Sequence, residues 1–193
     1  MDQVRILIAE DNELVALTLE EQIVSLGFAV AGVARNGKEA VQMCEQLGPD
    51  VVLMDMQMPE MAGDVAAKLI TQRCPRPIIM LTAFSDADHI RRAEAAGALA
   101  YLVKPINPEE LPATVDIALA RFQELDTLRH KVTALQDTID SSKLIERAVG
   151  IWMKRLTVGH DEAKARLEKR AAERHVSVKE IAQAIVDAES LLS

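Results

Sequence analysis

Five short aliphatic runs, each followed by a longer amphipathic stretch, do most to limit what this chain can become. They are Val4–Ala9, Phe28–Ala34, Val51–Asp55, Pro77–Leu81 and Ala100–Val103. Most lack polar–apolar alternation, which predicts strands buried on both faces. The stretches Glu13–Leu26, Gly37–Leu47, Gly63–Arg73, Asp86–Ala96 and Pro108–Arg121 read as helices. Turn residues stand between the elements at Leu26-Gly27, Gly48-Pro49, Pro59, Cys74-Pro75 and Gly97. Five βα repeats in one domain predict an α/β fold, with a parallel, doubly wound sheet and helices on both faces. Ligands in such folds bind at the carboxyl ends of the strands, near the point where strand order reverses.

The chain then changes character. After Pro112 there is no further proline and no strand-like run, so the remainder of the 193 residues reads as helix. Leu125, Leu128, Val132, Leu135 and Ile139 follow 3-4-3-4 spacing, and Ser142 takes the next core position. That spacing fits a helix packed on its own C-terminal domain or a short coiled-coil dimer segment. Three further helices are predicted at Leu144–Leu156, Asp161–His175 and Ser177–Leu192, the last opened by a Ser177/Glu180 capping box. Gly150, in mid-helix, predicts close packing against a neighbouring helix.

Charge divides along the same line. Up to Leu125 there are 10 Lys and Arg against 19 Asp and Glu, and from Asp126 onward 12 against 11. The acidic part would repel nucleic acid, whereas the later part would not. The N-terminus shows no signal-peptide pattern and no run is long enough to span a bilayer, so the expectation is a cytoplasmic protein without a membrane partner. Cys44 and Cys74 have no metal-ligand spacing and are expected to be reduced thiols.

The strand ends carry the chemistry. The first strand runs into Glu10-Asp11, the third ends in Asp55, the fourth runs into Thr82 and the fifth into Lys104-Pro105. In this fold those ends meet on one sheet edge. Taken singly, each residue has a plain alternative: Asp11 with Asn12 as a helix cap, Asp55 as a turn residue, Lys104 as a solvated loop lysine. Taken together, three carboxylates would repel one another unless a hard divalent cation sat among them, and carboxylate-plus-water ligation suits Mg²⁺. A cation and an ammonium can neutralise a transferring phosphoryl group, and a carboxylate can accept it as an acyl phosphate. Asp55, closing the central strand, is the candidate nucleophile, and the Thr82 hydroxyl is placed to hydrogen-bond a phosphoryl oxygen.

Glu10-Asp11, Asp55-Met56-Gln57-Met58-Pro59, Thr82-Ala83 and Tyr101-Leu102-Val103-Lys104-Pro105 together resemble the receiver domain of two-component response regulators, over roughly residues 1–122. The resemblance implies a five-stranded, flavodoxin-like sheet and phosphorylation of Asp55 by a sensor histidine kinase. It implies Mg²⁺ held by Asp11, Asp55 and the backbone carbonyl of Gln57, with Glu10 beside them. It also implies a Lys104–phosphoryl pair, a cis Lys104–Pro105 peptide, and Thr82 with Tyr101 as a switch pair. Ala62-Gly63 stands where receivers often have Asp-Gly.

Ala148-Val149-Gly150-Ile151-Trp152-Met153, with Glu162-Ala163, Leu167, Ala171 and Ile181-Ala182, resembles the ANTAR domain, a small all-α three-helix module that binds paired RNA stem-loops and prevents transcription termination. The layout expected is a receiver over 1–122, a helical or coiled-coil linker over 123–142 and an ANTAR-like domain over 143–193. Between 147 and 174 there are eight basic residues against four acidic ones. Arg147, Lys154, Arg155, Lys169 and Arg170 are the candidate RNA contacts. Val149, Lys164 and Glu168 depart from the family, which often has Lys, an aromatic and Arg there. Trp152 alone is too little for an aromatic single-strand platform.

A phosphorylation-dependent homodimer is a further expectation, as is the absence of enzymatic turnover beyond self-phosphorylation and slow self-dephosphorylation. Three alternatives compete. A DNA-binding output would want a polar recognition helix, whereas 177–192 is acidic and aliphatic with Lys179 its sole Lys or Arg. A phosphatase would want a second acid at Gln57 and a cap insertion. A protein-docking output would need neither.

Overall fold

The computed structural model describes residues 3–83, 91 and 95–190. The chain divides into two compact units, Met1–Asp126 and Thr127–Ser193.

The first unit contains β1 (Arg5–Ala9), α1 (Glu13–Ser25), β2 (Ala29–Ala34), α2 (Gly37–Leu47), β3 (Val51–Asp55), α3 (Gly63–Arg73), β4 (Ile78–Thr82) and β5 (Ala100–Val103). All neighbouring pairs are parallel, in the order β2-β1-β3-β4-β5. Every residue of β3 and β4 is buried. Alternate side chains feed two cores, the reason for continuous apolar runs. Leu7, Ala9, Val52, Met54, Ile78 and Met80 pack with Ala40, Cys44, Ala66 and Ile70 of α2 and α3. Ile6, Ile8, Leu53, Ile79 and Leu81 pack on the other face with Leu19 and Ile23 of α1 and with Leu111, Val115 and Ala118. The expected helix Asp86–Ala96 lies mostly outside the described residues.

Leu111 to Ala118 open α4 (Glu110–Leu156), one helix of 47 residues. It merges the elements expected at Pro108–Arg121, the linker and Leu144–Leu156, because nothing between them breaks a helix. In the second unit it is followed by α5 (His160–Arg174) and α6 (Val178–Ser190). His175 closes α5 in the left-handed region (φ 54°), its N–H bonded to Ala171 and Ala172 carbonyls. The capping box at α6 is formed: Glu180 N–H donates to Ser177 Oγ at 3.2 Å, and Ser177 N–H donates to Glu180 Oε2 at 2.7 Å.

Ala148, Val149, Ala163, Leu167, Ala171, Ile181, Ala182 and Val186 make the second core. The expectation for Gly150 is corrected: no atom lies within 4 Å of where its Cβ would stand, so interhelical packing does not require glycine there. Cys44 and Cys74 are free, and burial pushes the Cys44 thiol up to about 12, leaving it inert.

Candidate functional site

The sheet order places the site. β1 is flanked by β2 and β3, so strand order reverses there and a crevice opens at the carboxyl ends of β1 and β3. Backbone bonds fix each residue that follows. Glu10 N–H donates to the Ala34 carbonyl at 3.0 Å, Met56 N–H to Leu81 at 3.1 Å, and Lys104 N–H to Thr82 at 2.8 Å. Asn12, not Asp11, caps α1: Asn12 Oδ1 accepts from Leu14 and Val15 N–H groups at 3.1 and 3.3 Å. Asp11 is thereby left exposed at the crevice.

Carboxylate oxygens of Glu10, Asp11 and Asp55 all lie within 4.8 Å of one another. Glu10 is 1% exposed and Asp55 8%. Lys104 Nζ reaches both, at 2.5 Å from Glu10 Oε2 and 3.1 Å from Asp55 Oδ2. Burial drives the Glu10 pKa up, with the Asp55 charge adding to it; the Lys104 hydrogen bond works against the rise without cancelling it. For Lys104, burial favours the neutral form. Hydrogen bonds and charges from Glu10 and Asp55 overcome it, so the pKa is raised and the ammonium persists. The donor set is all hard oxygen, and one donor faces solvent, so it fits a small divalent cation that keeps several waters.

Thr82, at the end of β4, is buried, whereas Tyr101 on β5 is 45% exposed. The Lys104–Pro105 peptide is cis. Gly63 opens α3 so close to the site that a Cβ there would stand 1.9 Å from the Asp55 carbonyl oxygen. Its requirement is steric, which residue spacing alone does not reveal.

In the second unit five of the basic residues share two grooves with Trp152. One groove is lined by Trp152, Leu156, Arg166, Lys169, Arg170, Glu173 and Arg174. A second shares Trp152, Arg170 and Arg174 and adds Arg155 and the α6 residues Ile181 and Ile185. Of the candidate RNA contacts, Arg155, Lys169 and Arg170 line these grooves; Arg147 and Lys154 do not. Arg166 and Arg174 join them, a placement signalled by the i, i+4 spacing 166–170–174 on α5. Arg155 pairs with Glu189 at 2.6 Å and Arg166 with Glu162 at 2.6 Å. Arg170 and Arg174 have no ion-pair partner among the described residues. Val149 is fully buried, so its departure from the family pattern alters the core rather than the surface.

Residues 6–116 match the response regulator receiver domain, and residues 133–186 match the ANTAR domain. The transcriptional regulatory protein PdtaR of Mycobacterium tuberculosis is 36% identical over 183 residues, covering 95% of this chain and 89% of that one. The receiver domain of a modulated diguanylate cyclase from Desulfovibrio desulfuricans superposes with a TM-score of 0.59 at 34% identity, over 63% of this chain and 98% of that one. The Saccharomyces cerevisiae Ssk1 receiver, co-crystallised with the histidine phosphotransfer protein Ypd1, gives 0.55 at 28% identity, over 58% of this chain and 86% of that one.

Proposed function

This chain belongs to the response regulators, with a receiver domain and an ANTAR domain, and from that premise we propose that phosphorylation of Asp55 switches a C-terminal module that binds RNA stem-loops and prevents transcription termination. The observation that carries the proposal is the convergence of Glu10, Asp11, Asp55 and Lys104 at the switch point of the sheet.

The phosphoryl donor is a phosphohistidine of a sensor kinase or phosphotransfer protein, as the Ssk1 co-crystal illustrates for a related receiver. An Asp55 carboxylate oxygen forms the new bond to phosphorus, the phosphorus–nitrogen bond breaks, and the departing imidazole takes up a proton. Asp11 and Asp55, with the Gln57 carbonyl and Glu10 beside them, would hold Mg²⁺, which supplies charge neutralisation for the transferring group. Lys104 supplies a second cation from within the protein. Thr82 donates its hydroxyl to a phosphoryl oxygen, and Tyr101 moves inward from its half-exposed position as Thr82 turns. The switch also promotes pairing with a second copy of the chain. No cofactor other than Mg²⁺ is invoked, and turnover is limited to self-phosphorylation and slow hydrolysis.

For the output, Arg155, Lys169 and Arg170, with Arg166 and Arg174, form a cationic surface around Trp152. Domain bounds of 1–122, 123–142 and 143–193 divide the chain by role, although α4 runs through the middle segment without a break. No described helix is long and apolar enough to cross a membrane, and a cytoplasmic location follows from the function. The test is binding of paired stem-loop RNA against duplex DNA, for wild type and Arg170→Glu/Arg174→Glu. Preference for RNA, lost in the double variant, is expected; equal affinity for duplex DNA contradicts the RNA reading.

A further inference from the structure

We propose that Trp152 receives one unpaired base of the RNA, stacked on its indole, while Arg170 and Arg174 hold flanking phosphates. The inference deepens the RNA reading above and rests on it. It names the part of the stem-loop that enters the grooves and the residue that selects it.

The chemistry of the two grooves points to such a ligand. Trp152, Arg170 and Arg174 line both, so the ring and these two arginines stand where the grooves meet. Trp152 is partly buried and packs against the core that includes Ala148, Ala163, Leu167 and Ile181. That core fixes the ring, and the rest of it lines the grooves. An anchored aromatic loses little freedom when a ligand stacks on it. A flat ring among guanidinium groups suits a ligand that is both aromatic and anionic, which describes a nucleotide.

The ion pairs decide which arginines are left for phosphate. Arg155 is held by Glu189 at 2.6 Å, Arg166 by Glu162 at 2.6 Å, and Lys169 lies 3.9 Å from Glu173. Arg170 and Arg174 have no ion-pair partner among the described residues. They stand one turn apart on α5, so they are neighbours on its surface. Each offers a planar fork of donors that matches phosphate oxygens.

The scarcity of aromatics sets how much of the RNA can stack. No Phe or Tyr follows Phe122, and Trp152 is the only tryptophan of the chain. One base can therefore stack, and a run of bases cannot. A base inside a duplex is already paired and stacked, and extruding it is costly. An unpaired loop base carries no such cost. The site thus selects a loop over a duplex stem, and over duplex DNA, through one residue.

The probe is a pool of paired stem-loop RNAs with randomised loops. One RNA retained by the wild-type full chain is compared with versions carrying an abasic nucleotide at each loop position in turn. Because Trp152 is the sole tryptophan, its emission reports the stack directly. Binding should quench that emission. An abasic nucleotide at one loop position should abolish the quenching and weaken binding about five- to hundredfold. Trp152→Leu should lose a similar factor on the intact RNA and nothing more on that abasic RNA. Trp152→Phe should recover part of the loss. Trp152→Leu should leave the salt dependence unchanged, whereas Arg170→Gln and Arg174→Gln should each lower its logarithmic slope by roughly 0.7–1.

Binding without quenching, an even response to abasic sites around the loop, or additive losses from Trp152→Leu and the abasic site overturn the proposal and leave RNA binding standing. If the wild type retains no RNA from the pool, the RNA reading falls and this inference falls with it. Quenching and the abasic series use the unaltered protein, so a folding defect in Trp152→Leu does not decide them.

Discussion

The Lys104 ammonium stands 3.1 Å from Asp55 Oδ2, so the residue proposed to accept a phosphoryl group already faces the cation that would hold it. The same nitrogen is bound to the almost fully buried Glu10. One cation thus answers two carboxylates before any phosphate arrives.

Removing it should cost stability. Lys104→Met keeps the apolar stem and leaves Glu10 and Asp55 facing each other without a counter-charge. Breaking a fully buried pair costs about 3–5 kcal/mol; because Lys104 is partly exposed, roughly 1–3 kcal/mol is expected here. Urea unfolding of the variant against wild type measures it. An unchanged midpoint would mean the pairs contribute nothing to the fold.

Mg²⁺ should stabilise the wild type by mass action, by about 2.7 kcal/mol when the ion is at 100 times its dissociation constant. The melting-temperature rise should be lost in Asp11→Asn, since Asp11 is the exposed member of the cluster. A full Mg²⁺-dependent rise in that variant would place the ion elsewhere.

Two glycines should respond in opposite directions. Gly63→Ala places a methyl 1.9 Å from the Asp55 carbonyl oxygen, and the backbone must move. A loss of more than about 3 kcal/mol is expected, together with slower labelling of Asp55 by a small phosphodonor. Gly150→Ala meets open space in mid-helix and should gain about 0.5–1 kcal/mol. Chemical denaturation of both variants decides it.

These contrasts mark where the sequence was readable. The strands of the central sheet stood out because both faces are buried, which leaves uninterrupted aliphatic runs; β3 and β5 fall where the pattern predicts them. Asp55, Thr82 and Lys104 were legible because a parallel sheet gathers all its strand ends on one edge. The role of Gly63 was hidden, since a steric contact with a distant carbonyl leaves no periodic trace. Gly150 misled for the complementary reason: its helix propensity is visible in sequence, and the empty space beside it is not. The length of α4 was obscured by reading the linker as a separate element, although no Pro or Gly interrupts 113–149. Trp152 is a lone aromatic in the sequence, and only the fold shows that arginines of the next helix line the grooves beside it.

The helical unit should weaken as pH rises through neutrality. His160 bonds Glu146 at 3.1 Å and Asp161 at 3.4 Å, and these carboxylates raise its pKa, the Glu146 hydrogen bond most. A raised histidine pKa gives stability that is complete below the unfolded value, about 6.5, and is lost as pH climbs through the folded one. Thermal unfolding between pH 6 and pH 8 should show that loss in wild type and not in His160→Gln.

If phosphorylation of Asp55 controls RNA binding, a stem-loop titration with and without Mg²⁺ and beryllofluoride will show it. Beryllofluoride mimics the phosphoryl group on a carboxylate, so it should tighten RNA binding by wild type and leave Asp55→Asn unchanged. Equal RNA affinity in both states of the wild type, or the same gain in Asp55→Asn, would contradict the account.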